Sequence, residues 1–288
     1  MKIVTHHEHF HTDDLLAVAA LLIKYPGSSV MRTRDQAIIE SADIVVDVGG
    51  VYDPAKLRFD HHQLGGAGKR TNGIPYASIG LVWKEFGEEL AGGKEEALII
   101  EEDMIVSVDA LDNGVDIATP KFTNVSTYSL GDFFESFVDG AKTLEDFDEK
   151  FHEALIQATA LLERQIRDAK KLAADWREVR KIYEATSDKR IIIIPLHTAW
   201  KHPLVPSDAQ FVIYPRANGN WSAQAVNKSL DTYESKKPFP AAWAGLRDDD
   251  LARVSGIRDA VFCHSSRFLS VAQSQESALK LAEIALNS

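Results

Sequence analysis

The sequence predicts an α/β protein with a parallel-sheet N-terminal domain, a long connecting helix and a smaller α/β C-terminal domain. Three observations predict it. Short strand-like and helix-like segments alternate through the first half, the pattern of βαβ units. The run Asp43-Ile44-Val45-Val46-Asp47-Val48 is apolar on both strand faces, which suits a parallel sheet covered on both sides. From Phe151 to Trp176 apolar residues recur at steps of three or four, as on one long amphipathic helix. The expected boundaries are 1–145, 146–187 and 188–288, and 288 residues are enough for two domains.

The elements follow in order. Lys2–Thr5 reads as a short strand. Asp13 and Asp14 open a helix that runs apolar to Leu22, with acids at the end where the helix dipole favours them, and Pro26-Gly27 closes it. Ser29–Thr33 reads as a strand, Gln36–Ser41 as a short helix and Asp43–Val48 as a buried strand broken by Gly49-Gly50. Ser78–Phe86 and Glu95–Asp109 read as helices. Beyond Asp188, Ile191–Pro195, Gln210–Tyr214, Trp221–Val226 and Ala260–Cys263 read as strands. Asn218-Gly219 forms a turn between two of them, and Glu276–Leu286 is a closing helix.

Composition narrows the function classes. Apolar residues make up 45% and charged residues 26%, a globular balance that excludes disorder and collagen. The single cysteine, Cys263, gives no internal disulfide and no Cys-x-x-Cys site. No apolar run approaches the ~18 residues of a membrane span, and the N-terminus lacks a signal-peptide pattern, so a cytoplasmic protein without membrane partners is expected. The net charge of −11 excludes a domain-wide basic field of the DNA-packaging kind. The charge is uneven: Lys189–Arg267 holds 11 basic and 7 acidic residues, and the remainder 21 and 36. A metal site opposite a phosphate-holding surface gives such a split, and so does ordinary surface variation.

Six of the ten histidines fall in two clusters beside carboxylates, His6-His7-Glu8-His9-Phe10-His11-Thr12-Asp13-Asp14 and Asp60-His61-His62. Each follows a strand-like segment, and Asp47 lies at the end of another. Open α/β sheets bind ligands beyond the carboxyl ends of their strands, so the three segments are expected to converge. Asp109 and Asp112, at the end of a helical stretch, are candidates for the last ligands. Imidazole with carboxylate suits first-row metals, and the donors suffice for two ions. Taken singly each feature has a plainer reading. The first cluster reads also as an exposed polar loop, Asp47 as a strand end, and Asp112-Asn113-Gly114 as a helix C-terminus.

Thr5-His6, Phe10-His11-Thr12-Asp13, Arg32-Thr33-Arg34-Asp35, Asp43–Gly50, Tyr52-Asp53-Pro54, Phe59–Gln63 and Asp109–Gly114 resemble the Myg (melanocyte proliferating gene) family. Phe211–Tyr214, Gly219-Asn220-Trp221, Ala242–Asp248 and Ser255-Gly256-Ile257 extend the likeness over nearly the whole chain. The resemblance implies a DHH-type phosphoesterase fold and a metal-dependent 3′–5′ exonuclease acting on RNA through water activated by two divalent ions. Mn²⁺ is expected, with Mg²⁺, Zn²⁺, Fe²⁺ or Co²⁺ as alternatives. By resemblance to the wider DHH superfamily, one ion takes His6, His11 and Asp47. The other takes Asp13, Asp47, His61 and Asp109, with Asp47 shared. His7 is the alternative to His6, because the first histidine lies one residue further from His11-Thr12-Asp13 than in the pyrophosphatases. Asp60 orients an imidazole, and His62 faces the substrate phosphate. Arg32, Arg34, Arg216, Lys228, His264 and Arg267 are the phosphate-contact candidates, each readable also as solvated charge. Leu269-Ser270-Val271 stands where the family has glycines.

The expected substrates are single-stranded RNA ends or short oligonucleotides, with homo-oligomerisation left open. A phosphoesterase acting on dinucleotides or another small phosphorylated metabolite is the nearest alternative, because long polynucleotides are held largely by neutralised phosphates. A non-catalytic metal- or RNA-binding protein is the third.

Overall fold

In the computed structural model, which describes residues 1–288, the chain divides into two units, Met1–Lys171 and Leu172–Ser288. The first begins with β1 (Lys2–Thr5), α1 (Thr12–Lys24), β2 (Ser29–Arg32), α2 (Gln36–Ser41) and β3 (Ile44–Val46). The short strands β4 (Tyr52–Asp53) and β5 (Arg58–Phe59) follow, then α3 (Ser78–Ala91), α4 (Lys94–Ile100), α5 (Val106–Asp112) and α6 (Leu130–Glu135). The helix α7 (Leu144–Ala185) runs across the boundary between the units.

The first sheet has the order β2-β1-β3-β5-β4. It is parallel as expected through β2, β1, β3 and β5, but β4 pairs antiparallel with β5 at the edge. The reason is the connection: the single turn Pro54–Lys56 is too short for the crossover that a parallel pair requires. Every residue of β3 is buried, as its two-faced apolar run predicts. The apolar body of α1, Leu15–Leu21, is buried throughout and packs on β1, β3 and α3.

Two helical readings change. The expected helix Glu95–Asp109 is α4 and α5 separated by one π turn, Glu101–Ile105. A π turn adds a residue to the turn and rotates the face that follows. The long helix extends beyond Phe151–Trp176 at both ends.

In this unit α3 and α5 approach closely at Gly80, whose N–H donates to Asp109 Oδ1 at 3.1 Å. A Cβ at Gly80 would lie 1.8 Å from Asp109 Oδ2 and 2.9 Å from an Arg70 guanidinium nitrogen. Gly80→Ala is therefore expected to lower stability by about 1–3 kcal/mol, the usual cost of overpacking, as read by urea denaturation.

The second unit contains β6 (Ile191–Ile193), α8 (Lys201–Leu204), β7 (Phe211–Pro215), β8 (Trp221–Ala225), α9 (Asp248–Ser255), β9 (Ala260–Cys263), β10 (Leu269–Ala272) and α10 (Gln275–Leu286). Its sheet order is β6-β7-β8-β10-β9, parallel only between β6 and β7. Successive strand residues point to opposite faces and build two cores. Ile191, Phe211 and Ile213 face Trp243, Leu251 and Leu281, whereas Ile192, Val212 and Tyr214 face Val179, Trp200 and Leu204. Asn218-Gly219 occupies the β7–β8 turn, where Gly219 has φ +85° and donates to Arg216 O. Leu269-Ser270-Val271 lies within β10, paired on both sides by β8 and β9. No helix is long and apolar enough to cross a membrane.

Candidate functional site

The strands β1, β3 and β5 are parallel neighbours, so their carboxyl ends lie side by side. The residues that follow them are His6, Asp47 and Asp60-His61-His62. The first turn of α1 contributes Asp13 and Asp14, and the last turn of α5 contributes Asp112. All lie in the first unit, and His6, Asp47, Asp60 and His62 line a cavity of about 430 Å³ together with His11, Arg34 and Gly49.

Asp47 is central. His6 Nε2 lies 3.3 Å from its Oδ2, while His61 Nε2 and His62 Nδ1 lie 3.3 and 3.5 Å from its Oδ1. Ser78 Oγ donates to the same Oδ1 at 2.8 Å. The Asp47 backbone is left-handed, φ +54°, a conformation that aspartate tolerates better than most side chains and that ends β3 abruptly.

His6 is buried, and its Nδ1 lies 3.1 Å from His7 O, which leaves Nε2 towards Asp47 and Asp14. A backbone carbonyl on the far nitrogen is the usual way to orient a metal-binding imidazole. His61 Nε2 lies 3.2 Å from Asp112 Oδ2 and 3.9 Å from Asp13 Oδ2. Asp60 accepts from Gly50 N at 2.5 Å and from His62 N at 3.0 Å, and its Oδ1 lies 2.8 Å from His62 Nδ1. Asp60 thus fixes the exposed His62 ring with its Nε2 free of that contact.

Three groups of donor atoms lie close enough together to share an ion: His6, His11 and Asp47; Asp47, His61 and His62; and His11, Asp13 and Asp112. A cation fits this donor set. Asp13 Oδ1, Asp14 Oδ2 and His61 Nε2 are buried without a hydrogen-bond partner. A buried polar atom left unpaired carries a desolvation penalty that coordination to a metal would remove. Mixed imidazole and carboxylate donors suit Mn, Fe, Co or Zn better than Ca.

The electrostatics agree. Burial pushes the Asp13 carboxyl well above the usual range, reinforced by Asp47, Asp112 and Asp14. Burial raises Asp112 too. For His6 burial works against protonation, but Asp14 and Asp47 outweigh it and push the imidazole up to about 10. His61 is raised against its burial by Asp47 and Asp112. Asp47 is held well below the usual range, because His6 and His61 overcome its burial. His6, at about 10, keeps its proton at pH 7, so a cation must displace it. Metal uptake is expected to release protons, and affinity to climb as pH rises from 6 towards the His6 value of about 10. Calorimetry in buffers of different ionisation enthalpy measures this directly; uptake without proton release contradicts it.

The other expected residues divide. Asp109 does not join the imidazoles. It is wholly buried, accepts from Arg70 at 2.6 Å and from Gly80 N, and stands one helical turn before Asp112. Burial pushes its carboxyl up to about 7 while Arg70 works against that push. Arg32 is also committed: its guanidinium donates to Asp148 Oδ1 at 2.8 Å and Glu8 O at 2.6 Å, and lies over the Phe151 ring. Only Arg34, exposed at the cavity, stands free to meet a phosphate there.

In the second unit Arg216 donates to Ser222 Oγ, Lys228 pairs with Glu234, and Arg267 donates to Phe239 O from a left-handed backbone of φ +59°. His264 Nδ1 accepts from Ser266 N. Sequence reasoning passed over Asp14 and Ser78 as site residues. Their only signal was position, at the start of α1 and of α3. Arg70 had none.

The family model MYG1_exonuc, described as "Uncharacterised protein family (UPF0160)", matches residues 2–286. A MYG1 protein of Caenorhabditis elegans is 32% identical over 98% of this chain and 94% of its own length. The MYG1 exonuclease of Homo sapiens is 30% identical over 99% of this chain and 85% of its own. A MYG1 protein of Chlamydia muridarum is 30% identical over 95% and 92% respectively.

Proposed function

This chain belongs to the MYG1 family, and on that premise we propose that it is a metal-dependent phosphodiesterase of the DHH type, a 3′–5′ exonuclease on single-stranded RNA. The observation that carries the reading is the placing of Asp47 between His6, His61 and His62, with Asp13, His11 and Asp112 beside them. His6, His11 and Asp47 would hold one divalent ion, and Asp13, Asp47, His61 and Asp112 a second, with Asp112 in the place expected for Asp109. Such a pair, with Mn²⁺ as the expected ion, supplies Lewis acidity and a water of lowered pKa for in-line displacement at phosphorus.

The chain's own residues do the rest by positioning and charge. Ser78 and Gly50 fix the Asp47 and Asp60 carboxylates. Arg34 meets the phosphate. His62, held protonated more readily than a free imidazole by Asp60, presents Nε2 to the cavity and gives its proton to the departing 3′ oxygen.

The size of the cavity, about 430 Å³, also favours a second substrate class, dinucleotides and other small phosphoesters. One experiment tests both. Labelled RNA, DNA, a dinucleotide and pyrophosphate are incubated with the protein and Mn²⁺. Mononucleotides released from the RNA 3′ end, and lost in His61→Ala, are expected. Hydrolysis of none of them, or activity unchanged in the variant, overturns the proposal.

A further inference from the structure

The segment between α5 and α6 has no regular structure from Val115 to Ser129 and is exposed along Asp116–Tyr128. Irregular loops of this length are uncommon in compact units and are usually either functional or plain linkers. One end is fastened at the candidate metal site, and the other lies against the start of α1. At one end Asp112 contacts His61, and Asn113 N and Val115 N donate back to Asp109 O and Ala110 O. At the other, Ser129 caps α6 through Asp132 N, and a Cβ at Gly131 would lie 4.0 Å from Thr12 Oγ1, next to Asp13. His9 Nε2 meets Glu135 at 3.1 Å, and Phe134 is buried, so α6 is a firm anchor.

Between these feet the loop turns at Phe122–Val125, with Asn124 at φ +60° and Val125 N donating to Phe122 O. Phe122 and Tyr128 are 71% and 75% exposed. Large aromatics pay a hydration cost in such positions, and here they alternate with Lys121, Thr123, Asn124, Ser126 and Thr127. Stacking rings, a cation and short hydroxyl and amide side chains are what unpaired nucleobases and their edges require. Tyr128 precedes Gly131 by three residues, so at ~3.5 Å per residue its backbone stays within about 10 Å of that contact with Thr12.

We propose that the loop 115–128 is a base-stacking flap, on which Phe122 and Tyr128 hold bases of a single-stranded nucleic acid whose terminal phosphodiester enters the metal site. This deepens the phosphodiesterase reading and rests on it for the site but not for the binding. The flap selects substrates that carry bases, oligonucleotides and dinucleotides alike, over phosphoesters without them, because only bases stack on its rings.

The test separates the two. Fluorescence anisotropy of a labelled oligoadenylate of about ten nucleotides is measured in EDTA, where hydrolysis plays no part. Phe122→Ala/Tyr128→Ala is expected to weaken binding at least about tenfold, and Phe122→Tyr/Tyr128→Phe, which keeps the rings, to restore most of it. Melting temperature and Mn²⁺ binding, read by titration, are expected to stay at the wild-type value. Binding unchanged in the alanine variant, or no binding by the wild type, overturns the flap. So does a shift in oligomeric state in the alanine variant, which would mark the patch as a contact between copies. Failure of the wild type to hydrolyse RNA with Mn²⁺ strikes the phosphodiesterase reading alone, since the anisotropy result still decides the flap.

Discussion

Asp47→Asn is expected to lower RNA hydrolysis by well over about 100-fold, with bound metal lost in parallel. The figure is a floor: removing an outer partner of a metal ligand already costs about 10–100-fold, and Asp47 is placed as a shared ligand. The change keeps the side chain's shape and the bond from Ser78, so loss of activity cannot be put down to a collapsed core. What it removes is the charge that His6 and His61 hold ionised. Elemental analysis of the purified variant and a time course on end-labelled RNA measure the two effects together. Activity within about tenfold of wild type would remove Asp47 from the centre.

The second large effect separates two acids one helical turn apart. Asp109→Ala leaves the Arg70 guanidinium, mostly buried and paired otherwise with Glu101, without its inner partner. Breaking a buried pair in this way costs about 3–5 kcal/mol. Asp112→Asn disturbs a half-buried side chain that packs against no arginine, so its expected cost is under about 1 kcal/mol. For metal affinity the order reverses, with Asp112→Asn losing at least tenfold. Urea denaturation of both variants, and Mn²⁺ titration of the one that stays folded, give the pattern. Equal destabilisation by both would mean that Asp109 and Asp112 share one role.

That pair also marks how far the sequence could be read. The β-branched run at Ile44–Val46, closed by Gly49-Gly50, and the apolar body of α1 pointed to the parallel sheet, because a strand buried on both faces is apolar on both and β-branched residues suit it. The convergence of His6, Asp47 and His61 follows from strand ends, which a parallel sheet must bring together. The choice of acid on α5 depends instead on helical phase, and the π turn at Glu101–Ile105 shifts that phase without leaving a compositional trace. Arg32 was misplaced for a related reason. Its partners, Asp148 and Phe151, are far along the chain, and pairing at that separation has no local signature. The strands β4 and β5 have two residues each, too few for alternation to register.

The first turn of α3 touches acids from three separate stretches of chain. Ser78 N donates to Asp13, Ser78 Oγ to Asp47 and Gly80 N to Asp109. The spacing of the carboxylates is therefore set by a helix rather than by whichever ion arrives. Folding has already met the cost of assembling like charges, so exchanging one divalent ion for another asks for almost no rearrangement of the chain. On the two-metal reading, the ion that occupies the site would then be set by supply as much as by fit.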